Sequence, residues 1–384
     1  MKPIYILIVF IFMGLPSHSQ ESSLVLNGYV SEMPSVMHLG PTEQTLYDNL
    51  LHNRLKLYWY PVEGLTGSIQ LRNRLIVGNQ VTEFPEYIYM MGVDNGWVDM
   101  SFNLVENEPW VLNTAIDRLY FDYSTGKFNF TAGRQRINWS QTFVWNPNDI
   151  FNTYSFFEVD YPERPGSDAL RAIYYHNYSS SAELTVKMDS AGSITAAGLF
   201  KFNKWNYDFQ VLGGVLESSD YVAGIGWSGI IGNAAFRGEM SYFRPMENFT
   251  GTTGQLIISL GSDYMFDNSL YLQAEAIYYE KSVGLNTANL FSLTNAPGSV
   301  KDMWYFTYSF FLMGSYPVTP LVNASLAGMY FPEEKGFYIG PTVDINLSNN
   351  LHFSTIGQVF SLEMNPIPGR INYCMGFLRL KWSF

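Results

Sequence analysis

The chain has 384 residues, a net charge of −12, only 15% charged residues and 17% aromatic ones. An acidic balance of this size excludes nucleic acid as a partner on electrostatic grounds. Sparse charge with a mean hydropathy near zero is unusual for a soluble β domain. It is expected where apolar, lipid-facing side chains alternate with polar, lumenal ones between two aromatic girdles.

Met1-Lys2-Pro3 supplies positive charge, Ile4 to Leu15 is apolar apart from one glycine, and Pro16-Ser17-His18-Ser19 follows. This pattern predicts a secretory signal peptide over residues 1–19, cleaved before Gln20. The apolar run is shorter than the roughly 20 residues a spanning helix needs. No cysteine follows the cleavage point, which argues against a lipid anchor. Residues 20–384 then form one domain.

From Ser22 onward, short stretches of alternating apolar and polar residues are separated by turn residues. A first strand over about 22–30 ends in a polar, proline-containing excursion to about 49. Strands follow near 51–60 and 69–77, then a long connection over 78–111 with room for a short strand pair of its own. Two more, near 112–123 and 127–139, meet at Ser124-Thr125-Gly126-Lys127. Beyond a central interruption the rhythm tightens to about 168–177, 181–189, 193–203, 205–216, 220–229 and 233–243. The last seven strands lie near 254–265, 269–280, 303–315, 319–331, 336–347, 350–362 and 371–384.

The pattern predicts an all-β protein, a transmembrane antiparallel barrel of about 18 strands, within a range of 16–20. Loop lengths give an independent check. If the first strand leaves the periplasm, the connections on that side, such as 61–63, 124–126 and 347–349, are all short. The opposite side carries 31–49, 78–111, 140–167, 244–253, 281–302 and 363–370, which are long. That is the asymmetry of outer-membrane barrels. The last strand sets Phe384, Trp382, Leu380 and Leu378 on one face and Lys381 and Arg379 on the other. A terminal aromatic with apolar residues at every second position resembles the signature read by the barrel-assembly machinery. Cys374 stands alone and falls by spacing on the lipid face, as a small hydrophobe.

Gly133 to Arg171 breaks the alternation. It packs Trp139, Trp145, Phe151, Phe156 and Phe157 among Asp149, Glu158, Asp160, Glu163 and Asp168, with Arg134, Arg136, Arg164 and Arg171 at its edges. A segment this long and without strand period is functional or disordered, and its aromatic content argues against disorder. Residues 140–167 therefore read as an extracellular loop folded into the barrel mouth, a constriction. Strict alternation from Phe128, Phe130 and Ala132 turns Arg134 and Arg136 toward lipid. Either Gly133 allows a bulge that resets the faces, or both arginines lie above the apolar band. They serve as a clamp for the loop or as solute contacts.

Polar faces turned inward place Arg54, Lys56, Arg72, Arg74 and Arg118 beside Arg379 and Lys381, because barrel closure makes the last strand a neighbour of the first. Asp208, Glu239, Asp263 and Glu275 come from strands roughly opposite, with Arg237 among them. Walls of opposite sign would lay a transverse field across a pore; the alternative is local pairing that merely solvates the lumen.

The runs GRQRINW, WNPNDIF and YPERPGSDALR resemble the porin-like outer-membrane barrels of Bacteroidetes-type bacteria. More distantly they are similar to alginate-export and related eighteen-strand porins. The matching positions are Gly133, Arg134, Gln135, Ile137, Trp139, Asn146, Pro147 and Asp149, with Ser140 where family members commonly have glycine. The resemblance covers about forty residues. It implies an outer-membrane channel and names no solute.

The leading expectation is thus an outer-membrane channel for passive diffusion of small polar or anionic solutes. An oligosaccharide or polysaccharide conduit is the alternative, motivated by Trp97, Trp110, Trp139 and Trp145 as sugar-stacking surfaces; a non-channel surface or adhesin barrel is another. No enzyme is expected: His38, His52, His176 and His352 fall in no metal spacing or nucleophile motif. Neither cofactor nor metal is called for. The expected partners are membrane lipid, the assembly machinery through Phe384 and small polar solutes, with the protein a monomer or a homotrimer.

Overall fold

The computed structural model describes residues 23–40, 43–282, 298–363 and 369–384. The stretch expected to be a signal peptide and most of the 281–302 connection lie outside the described residues. Strands follow one another as β1 (Leu24–Leu39), β2 (Gln44–Val62), β3 (Leu65–Gly78), β4 (Ser101–Asn107), β5 (Trp110–Thr125) and β6 (Phe128–Gln135). The run continues with β7 (Ser167–Asn177), β8 (Ser180–Met188), β9 (Ile194–Lys204), β10 (Tyr207–Leu216), β11 (Asp220–Ile231), β12 (Ala234–Pro245) and β13 (Gln255–Met265). It ends with β14 (Tyr271–Tyr279), β15 (Tyr308–Thr319), β16 (Val322–Phe331), β17 (Gly336–Ser348), β18 (Leu351–Glu363) and β19 (Arg370–Ser383).

Each strand pairs antiparallel with the next, except that β3 skips β4 to pair with β5, and β19 closes on β1. With β4 left outside the ring, eighteen strands form the closed barrel, the number expected from the alternation. Closure of the ring leaves β1 and β19 without a free edge, as a protein in lipid requires; β4 alone pairs on one side only. At the seam, Gly28 and Phe384 exchange both backbone hydrogen bonds at 3.0 Å.

The outward faces are apolar. Leu57 and Trp59 on β2, Phe128 and Phe130 on β6, Leu184 and Val186 on β8, and Leu378, Leu380 and Trp382 on β19 all point away from the lumen. Aromatic pairs mark both rims, Phe128 with Tyr174 at 5.0 Å and Tyr278 with Tyr308 at 5.3 Å between ring centroids. Cys374 is exposed on the same face as Leu378 and Trp382.

Two departures from the sequence reading concern the outer rim. Residues 31–39 are strand, not excursion, and form with β2 one long hairpin. Pro34 suggested a break because it cannot donate to a ladder. The ladder from β1 to β19 passes from Glu32 to Ser35 without bonding at Met33 or Pro34, so the missing N–H is not needed there. The 78–111 connection holds two short helices, α1 (Asn79–Glu83) and α2 (Pro85–Gly92), ahead of β4. Their Val81 and Met91 pack with Met33, Leu50, Ile76 and Val111 on the inner wall, so the helices cap the mouth over β1, β2, β3 and β5.

Candidate functional site: a loop folded into the lumen

β6 ends at Gln135, β7 begins at Ser167, and the residues between them turn into the barrel. Glycines shape both legs. Gly133 has φ +114°, and a Cβ there would lie 2.2 Å from the Leu119 carbonyl oxygen. A Cβ on Gly166 would come within 2.9 Å of the Asp117 carbonyl, the Arg118 guanidinium and Arg134. Inside, the loop buries Ile137, Trp139, Trp145, Phe151 and Phe157 almost completely. Trp139 meets Phe151 edge to face at 4.9 Å, and Phe157 meets Tyr338 and Phe360 at 4.9 Å each. Their partners are apolar side chains facing inward from the wall, such as Leu212, Phe243, Ile277 and Phe360. The lumen is thus not uniformly polar, because part of it is the socket of the loop.

Wall carboxylates hold the loop's backbone. Glu239 accepts from the backbone N–H of Thr142 (2.8 Å) and Asn148 (2.9 Å), from the Thr142 hydroxyl (3.0 Å) and from the N–H of Gln141. Glu275 accepts from Phe143 (3.0 Å), Val144 (3.1 Å) and Trp145 (2.8 Å). Glu183 accepts from the Trp139 indole at 2.8 Å and takes the Arg171 guanidinium with both oxygens. Gln210 donates to the Trp139 carbonyl at 2.7 Å, and Gln358 donates to that of Phe157 at 3.0 Å. N–H groups that no helix or ladder satisfies are given charge-assisted acceptors instead, the strong class of hydrogen bond.

The acidic wall expected opposite the arginines is therefore not open to solute. Glu239 and Glu275 are spent on the loop, Asp263 pairs with Arg237, and Asp208 is exposed near the inner rim, accepting from Asn203 at 2.8 Å. Asp149 is buried, with the Trp139 N–H at 3.3 Å. Burial pushes its carboxyl up to about 7, and it lies in the loop's core rather than in a passage.

The basic residues do share one wall. A bulge at Gln70/Leu71 opposite Asp117 and Arg118 turns both of those side chains inward. Arg54 pairs with Asp117, and the Tyr161 hydroxyl donates to the same carboxylate. Arg118 donates to the carbonyls of Glu163 (3.1 Å) and Arg164 (2.7 Å). Glu163 accepts from the Tyr29 hydroxyl at 3.0 Å and faces Lys56 at 3.5 Å. Although burial opposes it, Arg54, Tyr29 and Lys56 hold the Glu163 carboxyl below its ordinary range. Arg379 donates to the Val159 carbonyl at 3.0 Å. Arg164 stacks on Tyr154 and Arg72 on Tyr161, the latter 3.9 Å from the ring centroid.

Glu158 and Asp160 make no ion pair or side-chain hydrogen bond to a described residue. They lie half-buried between the loop and the wall that carries Arg72, Arg74, Arg379 and Lys381. A cavity of about 170 Å³ touches Arg72, Arg74 and Tyr161, and one of about 20 Å³ touches His52, Asp160, Arg379 and Lys381. Burial, with Asp160 next to it, pushes the Glu158 carboxyl up to about 8.

Arg134 keeps strict alternation: the ladder runs through Gly133 without a bulge, and the side chain is on the outward face. It is nevertheless buried. Residues 94–98 cross over it, and it pairs with Asp168 at 2.7 Å and Asp94 at 2.6 Å while donating to the Val98 carbonyl at 2.7 Å. Arg134 and Asp168 are thus a clamp for this segment, not for the loop acids. Arg136 makes no hydrogen bond or ion pair to a described residue. Sequence reasoning missed Asp117, Tyr29, Tyr161, Glu183, Gln210 and Asp94. Glu183 and Gln210 sat on predicted lumenal faces, whereas the bulge that turns Asp117 inward leaves no mark in the alternation.

No family model matches the sequence, and no curated protein does. Solved structures match along nearly the whole chain. OpdQ of Pseudomonas aeruginosa superposes with a TM-score of 0.59 at 7% identity, covering 94% of this chain and 98% of its own. The outer membrane protein OpdK of the same organism gives 0.59 at 8%, and OccAB2 of Acinetobacter baumannii gives 0.58 at 8%, over 94% and 98% of the two chains. The chain has the closed, eighteen-strand antiparallel fold of these barrels. At such identities the likeness extends to fold alone.

Proposed function

We propose that the protein is an outer-membrane channel for passive diffusion of small polar solutes, with a preference for anions. The observation that carries this is the two cavities between the loop and the basic wall. There Arg72 and Arg74 act on Glu158, and Arg379 and Lys381 line a cavity with Asp160; we assign the solute's passage to them. Elsewhere the loop is packed against the lumen wall by aromatic and carboxylate anchors. Charged groups facing each other across such a gap set selectivity. The GRQRINW and WNPNDIF runs support kinship with the Bacteroidetes-type and alginate-export porins, and their residues here are the legs and core of the loop. The conduit reading loses its motive: Trp139 and Trp145 are buried in the loop core, Trp110 is exposed at the outer end of the β4–β5 hairpin, and Trp97 is exposed on the segment that leads into β4.

Planar-bilayer reversal potentials in a salt gradient test the proposal. At pH 9, Glu158→Gln with Asp160→Asn shifts selectivity toward anions, more so in dilute salt where screening is weak. A reversal potential insensitive to these charges contradicts the assigned passage.

A further inference from the structure

The barrel wall is incomplete on one side. β6 and β7 stop at Gln135 and Ser167, while β5 continues outward as far as Trp110. Above Leu119 the edge of β5 pairs with β4 instead of β6. The opening over β6 and β7 is crossed by residues 93–100, which form no ladder with either strand. This strap bridges to the end of β8 through Gly96 and Asp189, with the Ser190 N–H on the Asn95 carbonyl at 3.2 Å. At its far end the Ile116 N–H donates to the Met100 carbonyl at 2.9 Å, and in between its ties are side-chain contacts: Asp94 with Arg134, and the Val98 N–H on Asp168 at 3.0 Å. Gly96 is fixed by the crossing, because a Cβ there would lie 1.9 Å from the Arg134 guanidinium.

The opening lies at membrane depth. Arg134 is six residues above Phe128, whose ring packs in the inner girdle. At a rise of about 3.3 Å per residue and a tilt of about 40°, that is about 15 Å into an apolar band about 25 Å tall. Consistent with that depth, the strap and β4 expose Trp97, Val98, Phe102 and Leu104, and Ala132 and Leu170 expose apolar surface just below.

The cavity of about 170 Å³ lies directly behind the strap. Val93, Asp94 and Gly96 line it on the strap side, and Arg72, Arg74 and Lys187 on the lumenal side. With Arg134 the lining has four cations against two carboxylates, Asp94 and Asp117. Both carboxylates are already paired with arginine. Arg72 makes no hydrogen bond or ion pair to a described residue, and its Nε and that of Arg74 are buried without partners. Phe151, Tyr161 and Ile116 supply apolar wall. The volume suits a carboxylate head with about two or three methylenes, so a longer chain has to leave the cavity.

We propose that the strap is a lateral gate, and that the cavity behind it receives the head group of a single-chain anionic amphiphile whose tail leaves toward the outer leaflet. Arg72, Arg74 and Lys187 inside have no carboxylate of a described residue paired to them, although Arg74 donates to Met91 and Asn113 and Lys187 to Phe151. With apolar surface outside and a strap held mostly by side-chain ties, they match such a ligand at both ends. The route differs from axial diffusion of polar solutes in entering through the wall, and shares with it Arg72 and Arg74 at the lumenal side of the cavity.

The test uses the full chain in phosphatidylcholine vesicles, carrying Asn95→Cys, Ser190→Cys and Cys374→Ser. Dodecanoate with a diazirine at the tail end is the probe, and cross-links are mapped by mass spectrometry. The reduced protein is labelled at residues 93–104 and around Phe151. Oxidation to the disulfide lowers this labelling at least tenfold, and reduction of the same sample restores it. The uncharged dodecanol analogue labels at least tenfold less. Equal labelling of oxidised and reduced protein, or of both analogues, overturns the proposal. Conductance of the same vesicles separates the two readings: labelling without conductance refutes the axial channel alone, and conductance without labelling refutes the lateral gate alone.

Discussion

At the scale of single residues, Glu158 is where charge and pH meet. Burial and Asp160 push its carboxyl up to about 8, from an ordinary value of 4.5. A group raised in this way stabilises the docked loop fully below its ordinary value, and that contribution is lost as pH rises through about 8. Cation selectivity therefore rises between pH 6 and pH 9.5 in the wild type and stays flat in Glu158→Gln; the same rise in the variant would assign the titration elsewhere. Asp149, raised to about 7, weakens loop docking in the same direction but lies outside the passage. Alternation located Arg54, Arg72, Arg74, Glu239 and Glu275 on the lumenal face. It carried no information on what each one meets. Whether a lumenal carboxylate faces solute or loop backbone depends on a contact with residues about a hundred positions away, as between Glu239 and Asn148.

At the scale of elements, the loop is positioned by its acceptors as much as by its aromatics. Glu239→Gln or Glu275→Gln replaces a charged acceptor of three or more hydrogen bonds by a neutral one. The difference between charged and neutral bonds is about 1 kcal/mol each, so docking weakens by roughly 3–4 kcal/mol. Tryptic cleavage after Arg136 then accelerates by an order of magnitude or more; unchanged cleavage would mean that the aromatics alone hold the loop. The sequence showed this element by what it lacked, a period of two over some thirty residues rich in aromatics. Its socket drew no expectation, although Leu256-Ile257-Ile258 on β13 and Phe310-Phe311-Leu312 on β15 are apolar on both faces. The strap and β4 were not legible as wall. They cover the opening left by two short strands, and strand length is set by where the loop turns inward.

At the scale of the whole molecule, strand number and loop asymmetry came from periodicity, because one buried face and one lipid face impose a period of two on every strand. The outer rim was less legible, since Pro34 there breaks no bond that the ladder needs. Closure rests on the seam between β1 and β19, where Phe384 makes both hydrogen bonds to Gly28. Deleting Phe384 removes that end of the seam together with the proposed assembly signal, and heat-modifiable barrel in the membrane falls several-fold. Normal levels would make the terminal aromatic accidental. The central claim is that the inward loop governs the pore. Single-channel conductance of a folded variant lacking Val144 to Tyr161 tests it most directly. That deletion removes Trp145, Phe151, Phe157 and Glu158 while sparing both legs, and conductance rises several-fold over the wild type. A folded deletion variant with unchanged conductance would place the loop outside the path of the solute.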